Sequence, residues 1–224
     1  MSSTRLVLLR HGQTEWNAGW RMQGRLDPEL DATGEAQAVA AAPHVARYAP
    51  TLLVASDQLR AWRTAGAVAE VTGLTPRAEP RLRETAMGEW EGLTGPEVEA
   101  GWPGGIAAWR TDPTWAPPGG ESRCDVAERA LPVLHELVAE LAPAAGAGSD
   151  AGSEAGPDAV ATGVVVAHGG TITALTAGFL GWPVVAWPTL QPLRNCRWAV
   201  LEHRFDTWRL SGWGLGEPGP AAGS

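Results

Sequence analysis

The chain contains no lysine: all seventeen of its basic residues are arginine. P-loop nucleotide chemistry, Schiff-base catalysis and lysine-borne cofactors each need an ε-amine, so the three fall away together. Cysteine is nearly as scarce. Cys124 and Cys196 stand far apart and form no C-x-x-C pair, which leaves a disulfide framework or a structural zinc site without ligands and makes a reducing cytoplasm the expected setting. Positive charge is also in deficit, since seventeen basic residues against twenty-five acidic ones give −8. Nucleic acid and anionic membrane surfaces are therefore not expected partners. The apolar run nearest the N-terminus, residues 6–9, is too short for a signal-peptide core or a membrane span. Tyrosine occurs once and phenylalanine twice, against twelve tryptophans. So lopsided a ratio reads mainly as compositional bias, in step with the excess of Ala, Arg, Gly and Pro.

What is present suffices for a globular fold. A chain of 224 residues, 44% hydrophobic and 19% charged, can bury about 70% of its unfolded surface. Short buried strands are expected at residues 5–9, 51–55 and 163–167, with a short edge strand at 77–80. Helical spacing covers residues 36–45, with Asp31 or Thr33 as N-cap, and then 59–71. It returns over 121–141, where Pro132 marks a kink or restart, and from His168 to about residue 180. Residues 197–201 and 205–210 suit a late hairpin. Strand–helix alternation predicts an α/β fold, a three-layer αβα domain over residues 1–215 with a mostly parallel central sheet. Residues 142–158, rich in Ala, Gly and Ser, are expected to be a flexible surface loop, and 216–224 a frayed tail.

In such sheets ligands bind where strands end. Two strands end here in a histidine followed by glycine. Residues 8–17 read Leu-Leu-Arg-His-Gly-Gln-Thr-Glu-Trp-Asn, an imidazole beside a guanidinium, a glycine and small hydrogen-bonding side chains. A neutral imidazole can attack phosphorus through one nitrogen while the other is held by a hydrogen bond. Arginine supplies a fork of donors for phosphoryl oxygens, and glycine lets the backbone approach. Arg60 follows the second strand, Glu84 lies in a loop rich in Gly and Trp, and His168 opens the last helix. Singly, each could be structural: a loop histidine, a helix-surface arginine, a solvated acid. A metal site would want H-x-x-x-H spacing or a carboxylate cluster, and a serine esterase G-x-S-x-G; none is present, so no metal or cofactor is expected.

Four motifs occur in order: R-H-G-x-T-x-x-N at 10–17, S-x-x-x-R-A-x-x-T-A at 56–65, L-x-E-x-x-x-G-x-W-E-G at 82–92 and H-G-G at 168–170. In order and spacing they resemble the histidine phosphatase superfamily, the phosphoglycerate-mutase-like enzymes, over roughly residues 5–210. The resemblance implies His11 as the phosphorylated nucleophile and Glu84 as the proton donor. Arg10, Arg60 and His168 would bind phosphoryl oxygens, assisted by Asn17, while Thr14 and Gly169 would join the substrate contacts. Gln58 departs from the leucine usual in the family, and a packing effect without chemical consequence is expected. Residues 21–24, 82–94, 108–110 with 112 and 114–117, 119–123 and 187–188 further resemble the branch that acts on glucosyl-3-phosphoglycerate, which implies Gln23 among the phosphate-site or substrate contacts and a small-molecule phosphate ester as substrate.

The chemistry asks for His11 neutral and His168 charged, so their environments are expected to separate their pKa values. Glu89 and Glu121 stand as alternative acids. Trp16, Trp20, Trp90, Trp109 and Trp115 are expected near the site mouth, and Arg21, Arg25 or Arg123 could meet a carboxylate. Trp62 and five later tryptophans are assigned to packing. A mutase of this family commonly carries an added segment near the active site. None is evident here, which favours a phosphatase over a phosphoglycerate mutase, with a broad-specificity or α-ribazole phosphatase as a further alternative. A phosphate-binding interaction module is the non-enzymatic alternative. The late strands would suit homodimer pairing at a sheet edge.

Overall fold

The computed structural model describes residues 3–146 and 160–216. Six strands form one sheet in the order β3-β2-β4-β1-β5-β6. Its parallel part comprises β1 (Ser3–Arg10), β2 (Leu52–Ala55), β3 (Arg77–Ala78) and β4 (Val160–Ala167). An antiparallel hairpin, β5 (Trp198–Arg204) and β6 (Thr207–Leu215), completes it beyond β1. The expected mostly parallel α/β sheet is the observed one, and the apolar runs explain its position. β4 is buried at seven consecutive residues, which requires cover on both faces.

Alternation along β1 assigns the two faces. Leu6 and Leu8 pack with Leu134, Leu137, Ile172 and Leu175 of α6 (Arg123–Gly146) and α7 (Gly169–Phe179). Val7 and Leu9 pack with Ala38, Ala42, Ala61 and Val68 of α2 (Ala32–Ala46) and α3 (Leu59–Thr72). Helices thus cover both faces, with three short ones in the connections: α1 (Glu15–Ala18), α4 (Gly95–Gly101) and α5 (Gly105–Thr111).

Some boundaries differ from the sequence reading, each for a local reason. Asp31 caps α2, its carboxylate accepting the Gly34 N–H at 2.7 Å, whereas Thr33 lies inside the helix. Helix α6 continues through Pro132 without a restart and runs on to Gly146, so the first residues of the expected 142–158 loop are helical. The rest of that loop, like residues 217–224 of the expected tail, lies outside the described residues. Phe205 belongs to the hairpin turn and not to a strand, because it and Asp206 both take positive φ, 53° and 57°, the conformation of a tight two-residue connection. The three short helices were not legible, being segments of four to seven residues, one or two turns with no sustained periodicity.

Candidate active site

Parallel pairing of β1 with β4 sets Arg10 opposite Ala167, so the strands deliver His11 and His168 side by side, ring centroids 5.1 Å apart. Both rings are buried. His11 Nδ1 lies 2.6 Å from the Gly12 carbonyl. A carbonyl only accepts, so Nδ1 carries the proton and Nε2 presents a lone pair. His168 is held at the other nitrogen, Nε2 to Ser56 Oγ at 2.9 Å, and its buried Nδ1 has no partner.

The two arginines are buried beside them. Arg60 donates Nη1 to the Leu26 carbonyl at 2.9 Å and Nη2 to the Gly24 carbonyl at 3.1 Å. Arg10 donates Nη1 to the Leu193 carbonyl. The Nε of each guanidinium is buried without a partner, an arrangement that suits a ligand bearing several acceptor oxygens. Burial lowers the Arg60 pKa to about 10, and Arg10 moves the same way for the same reason.

The expected contrast, His11 neutral and His168 charged, is not what burial dictates in the free protein. Desolvation, then the charges of Arg60 and Arg10, hold His11 well below its usual value. His168 is depressed too, first by desolvation and then by Arg60. Both imidazoles are therefore neutral near pH 7 in the free protein. A phosphate dianion beside them would oppose the guanidinium charges and favour a proton on His168.

Glu84 is fastened at the start of α7. Its Oε1 accepts the N–H groups of Thr85 at 2.9 Å and Thr171 at 3.1 Å, and Oε2 accepts the Gly170 N–H at 3.3 Å. A Cβ on Gly170 would fall 2.7 Å from Glu84 Oε1, so only glycine admits this approach. Arg129 reaches the backbone around the acid, donating to the carbonyls of Arg83 at 2.9 Å and Glu84 at 3.2 Å. Of the alternative acids, Glu89 is exposed. Glu121 is committed elsewhere: it binds Arg129, Arg25 and the Ala86 N–H, and this set outweighs desolvation to hold its pKa at about 2.

Thr14 and Asn17 belong to one capping box. The Thr14 hydroxyl accepts the Asn17 N–H at 3.1 Å, and Asn17 Oδ1 accepts the Thr14 N–H at 3.1 Å. Gly169 packs beside the Arg10 guanidinium, and Gln23 is buried with Oε1 unpartnered. Gln58, expected only to pack, makes polar links instead, donating to Gly24 O and accepting from Glu84 N.

Sequence reasoning missed Asn195, whose Nδ2 lies 3.1 Å from His11 O, 3.0 Å from Gly12 O and 3.1 Å from Asn17 Oδ1. A lone asparagine in a segment without periodicity gave no signal. Thr64, a motif residue given no role, accepts the Gly12 N–H at 3.0 Å while donating to Arg60 O at 2.7 Å.

Trp90 is fully buried against Trp102, Trp109 and Trp115 in a separate apolar cluster, while Trp20 is 84% exposed with φ of 55°. Trp62 packs against the apolar cluster that α2 and α3 share with the sheet. Arg25 pairs with Glu121 and Arg21 lies 3.6 Å from Glu97, whereas Arg123 stacks on Trp109. Among the described residues no three His, Cys, Asp or Glu side chains converge as a metal site, and no helix is long and apolar enough to cross a membrane.

Comparison with known proteins gives the chain a family. A family model described as the histidine phosphatase superfamily (branch 1) matches residues 6–216. A glucosyl-3-phosphoglycerate phosphatase of Mycolicibacterium vanbaalenii is 48% identical over 95% of each chain. The structure of a mycobacterial glucosyl-3-phosphoglycerate phosphatase in complex with inorganic phosphate superposes with a TM-score of 0.84 at 47% identity, covering 95% of this chain and 97% of that one. A probable phosphoglycerate mutase of Serratia proteamaculans is 33% identical over 93% of this chain and 89% of its own.

Proposed function

Since the chain belongs to the histidine phosphatase superfamily, we propose that it hydrolyses glucosyl-3-phosphoglycerate, or a closely related sugar phosphate, through a phosphohistidine at His11. The observation that carries the reading is the His11 ring, buried 5.1 Å from His168 with Nδ1 held on Gly12 O and the nucleophilic Nε2 left free. The 48% identity to a phosphatase of that name supports the substrate.

In the first step His11 Nε2 forms a bond to phosphorus, and the bond from phosphorus to the ester oxygen breaks. Glu84 gives its proton to the departing alkoxide. Oε2 suits that task, since it takes only one long contact, from the Gly170 N–H at 3.3 Å, while Oε1 accepts two backbone N–H groups. In the second step water passes a proton to the Glu84 carboxylate and attacks the phosphohistidine, releasing inorganic phosphate and restoring His11. Arg10, Arg60 and His168 offer donors to the non-bridging oxygens, so charge stabilisation falls to buried cations and no metal ion is assigned a part. Asn17, Gln23, Thr14 and Gly169 line or order the substrate side. This reading places the enzyme in the cytoplasm and gives it a small-molecule ester as partner.

The test is a panel of glucosyl-3-phosphoglycerate, 3-phosphoglycerate and simple sugar phosphates, with the quenched enzyme assayed for an acid-labile, base-stable phosphoryl group. Glucosyl-3-phosphoglycerate should show the highest kcat/KM, with inorganic phosphate as product. Equal preference for 3-phosphoglycerate would overturn the substrate. Phosphoryl return to a second phosphoglycerate position without phosphate release would identify a mutase.

A further inference from the structure

Helix α3 begins with a buried amide whose two ends serve different loops. Gln58 Oε1 accepts the Glu84 N–H at 2.8 Å. Its Nε2 donates to Gly24 O at 3.1 Å and lies 3.4 and 3.5 Å from the carbonyls of Arg25 and Leu26. Two of those carbonyls, Gly24 and Leu26, are also the acceptors for the Arg60 guanidinium. One side chain, 3% exposed, therefore joins the loop bearing the acid to the loop that anchors a phosphate-binding arginine. No apolar residue can make either link, because each needs a polar atom facing a buried backbone group.

We propose that Gln58 is a positioning residue for proton donation, fixing the backbone of Glu84 against the 24–26 loop and so aiming the carboxyl at the leaving oxygen. The inference rests on the proposed phosphohistidine route and deepens it. Neighbouring contacts fasten the same element: Asp57 holds Arg83 at 2.8 Å, and the Leu59 N–H donates to Asp27 at 2.8 Å. Of these, Gln58 alone bonds directly to residue 84. Displacement of an acid by a fraction of an ångström penalises the step that needs its proton and spares one that does not.

The experiment compares pre-steady-state bursts of phosphoenzyme from an alkyl phosphate and from nitrophenyl phosphate. Nitrophenolate departs without a proton; a sugar or glycerate alkoxide does not. Gln58→Met should lower the alkyl burst by about tenfold, the equivalent of one buried hydrogen bond, and the nitrophenyl burst by less than about twofold. In a Glu84→Gln background the same change should have little further effect on either. Gln58→His, which keeps a donor and an acceptor, should restore most of the ratio. Should the Met variant fail to fold, Gln58→Leu gives the same comparison. Equal losses for both esters, or an undiminished alkyl burst, would overturn the proposal while leaving the phosphohistidine route intact. A wild-type enzyme that formed no phosphoenzyme would overturn both.

Discussion

The ends of β1 and β4 carry the same pair, histidine then glycine, and make two different imidazoles of it. After β1 the chain enters a loop, and His11 turns Nδ1 onto the next carbonyl, leaving Nε2 free. After β4 a helix begins at once. His168 is its N-cap residue, and its ring reaches across to Ser56 at the end of β2, leaving Nδ1 free. The neighbouring glycines differ in the same sense. A Cβ on Gly12 would lie 2.4 Å from the Gly34 carbonyl, so that glycine lets the loop approach helix α2. Gly169, by contrast, packs beside the Arg10 guanidinium, where a Cβ would stand at an ordinary 3.5 Å. The role of each histidine is thus set by the loop or helix its strand runs into and by the group that holds its ring, since the dipeptide is the same at both.

Alanine at each position tests this division with the largest expected effects. His11→Ala should abolish the acid-labile phosphoenzyme and lower kcat by about 10⁴ or more, the scale seen when a nucleophile is removed. His168→Ala should lower kcat by about 10² to 10³, the usual cost of one donor to developing charge, while the quenched enzyme still carries phosphate on His11. If His168→Ala erased the label and His11→Ala kept it, the assignments would have to be exchanged.

A second prediction uses what the two rings share. Both pKa values are depressed in the fold by burial and by the neighbouring guanidiniums. Below about pH 6.5 the unfolded chain takes up protons on these histidines and the folded one does not. Stability is therefore intact above that pH and is lost as pH falls toward the folded values, by up to about 1.4 kcal/mol per pH unit for each ring. Melting curves from pH 7 to 5 should show the decline. His11→Ala and His168→Ala should each reduce its slope, and inorganic phosphate should flatten it by favouring the protonated site. A slope unchanged in both variants would assign the decline to other groups.

The strands and the four motifs were legible because each is a short run with a strong signal: continuous apolar residues for β1 and β4, and unusual polar residues at their ends. Motif order brought out His11, Arg60, Glu84 and His168, residues far apart in the chain, and the topology brings them to one sheet end. What escaped notice depends on partners contributed by distant backbone. Asn195 acts on carbonyls of residues 11 and 12, and Thr64 on an N–H of residue 12. Neither type of residue announces such a task in one sequence. Gln58 is visible as a departure from the resemblance, but an amide looks like a packing substitute until Glu84 N and Gly24 O are seen at its two ends. The expected histidine pKa contrast failed for a related reason: burial acts on both rings alike, and the sequence does not reveal its depth.

The smallest expected effect probes the bond that distinguishes His168 from His11. The lock on His11 is a backbone carbonyl and cannot be removed by substitution, but the lock on His168 is a hydroxyl. Ser56 is fully buried at the end of β2, and its own N–H bonds to Val166 O at 2.9 Å, so the backbone stays in place when the side chain is trimmed. Ser56→Ala leaves both nitrogens of His168 without a protein partner and lets the ring turn. A lost hydrogen bond of this kind is worth about 0.5–1.5 kcal/mol, so kcat should fall by about two- to tenfold. KM for the phosphate ester should move less, because the ring's charge matters most where charge develops on the transferring group. The steady-state level of phosphohistidine on His11 should persist, and the His168 ring signals in an NMR spectrum should broaden as two orientations exchange. Unchanged turnover with unchanged ring signals would show that packing alone holds His168. The two strand ends would then differ in the element that succeeds each histidine but not in how its ring is fixed.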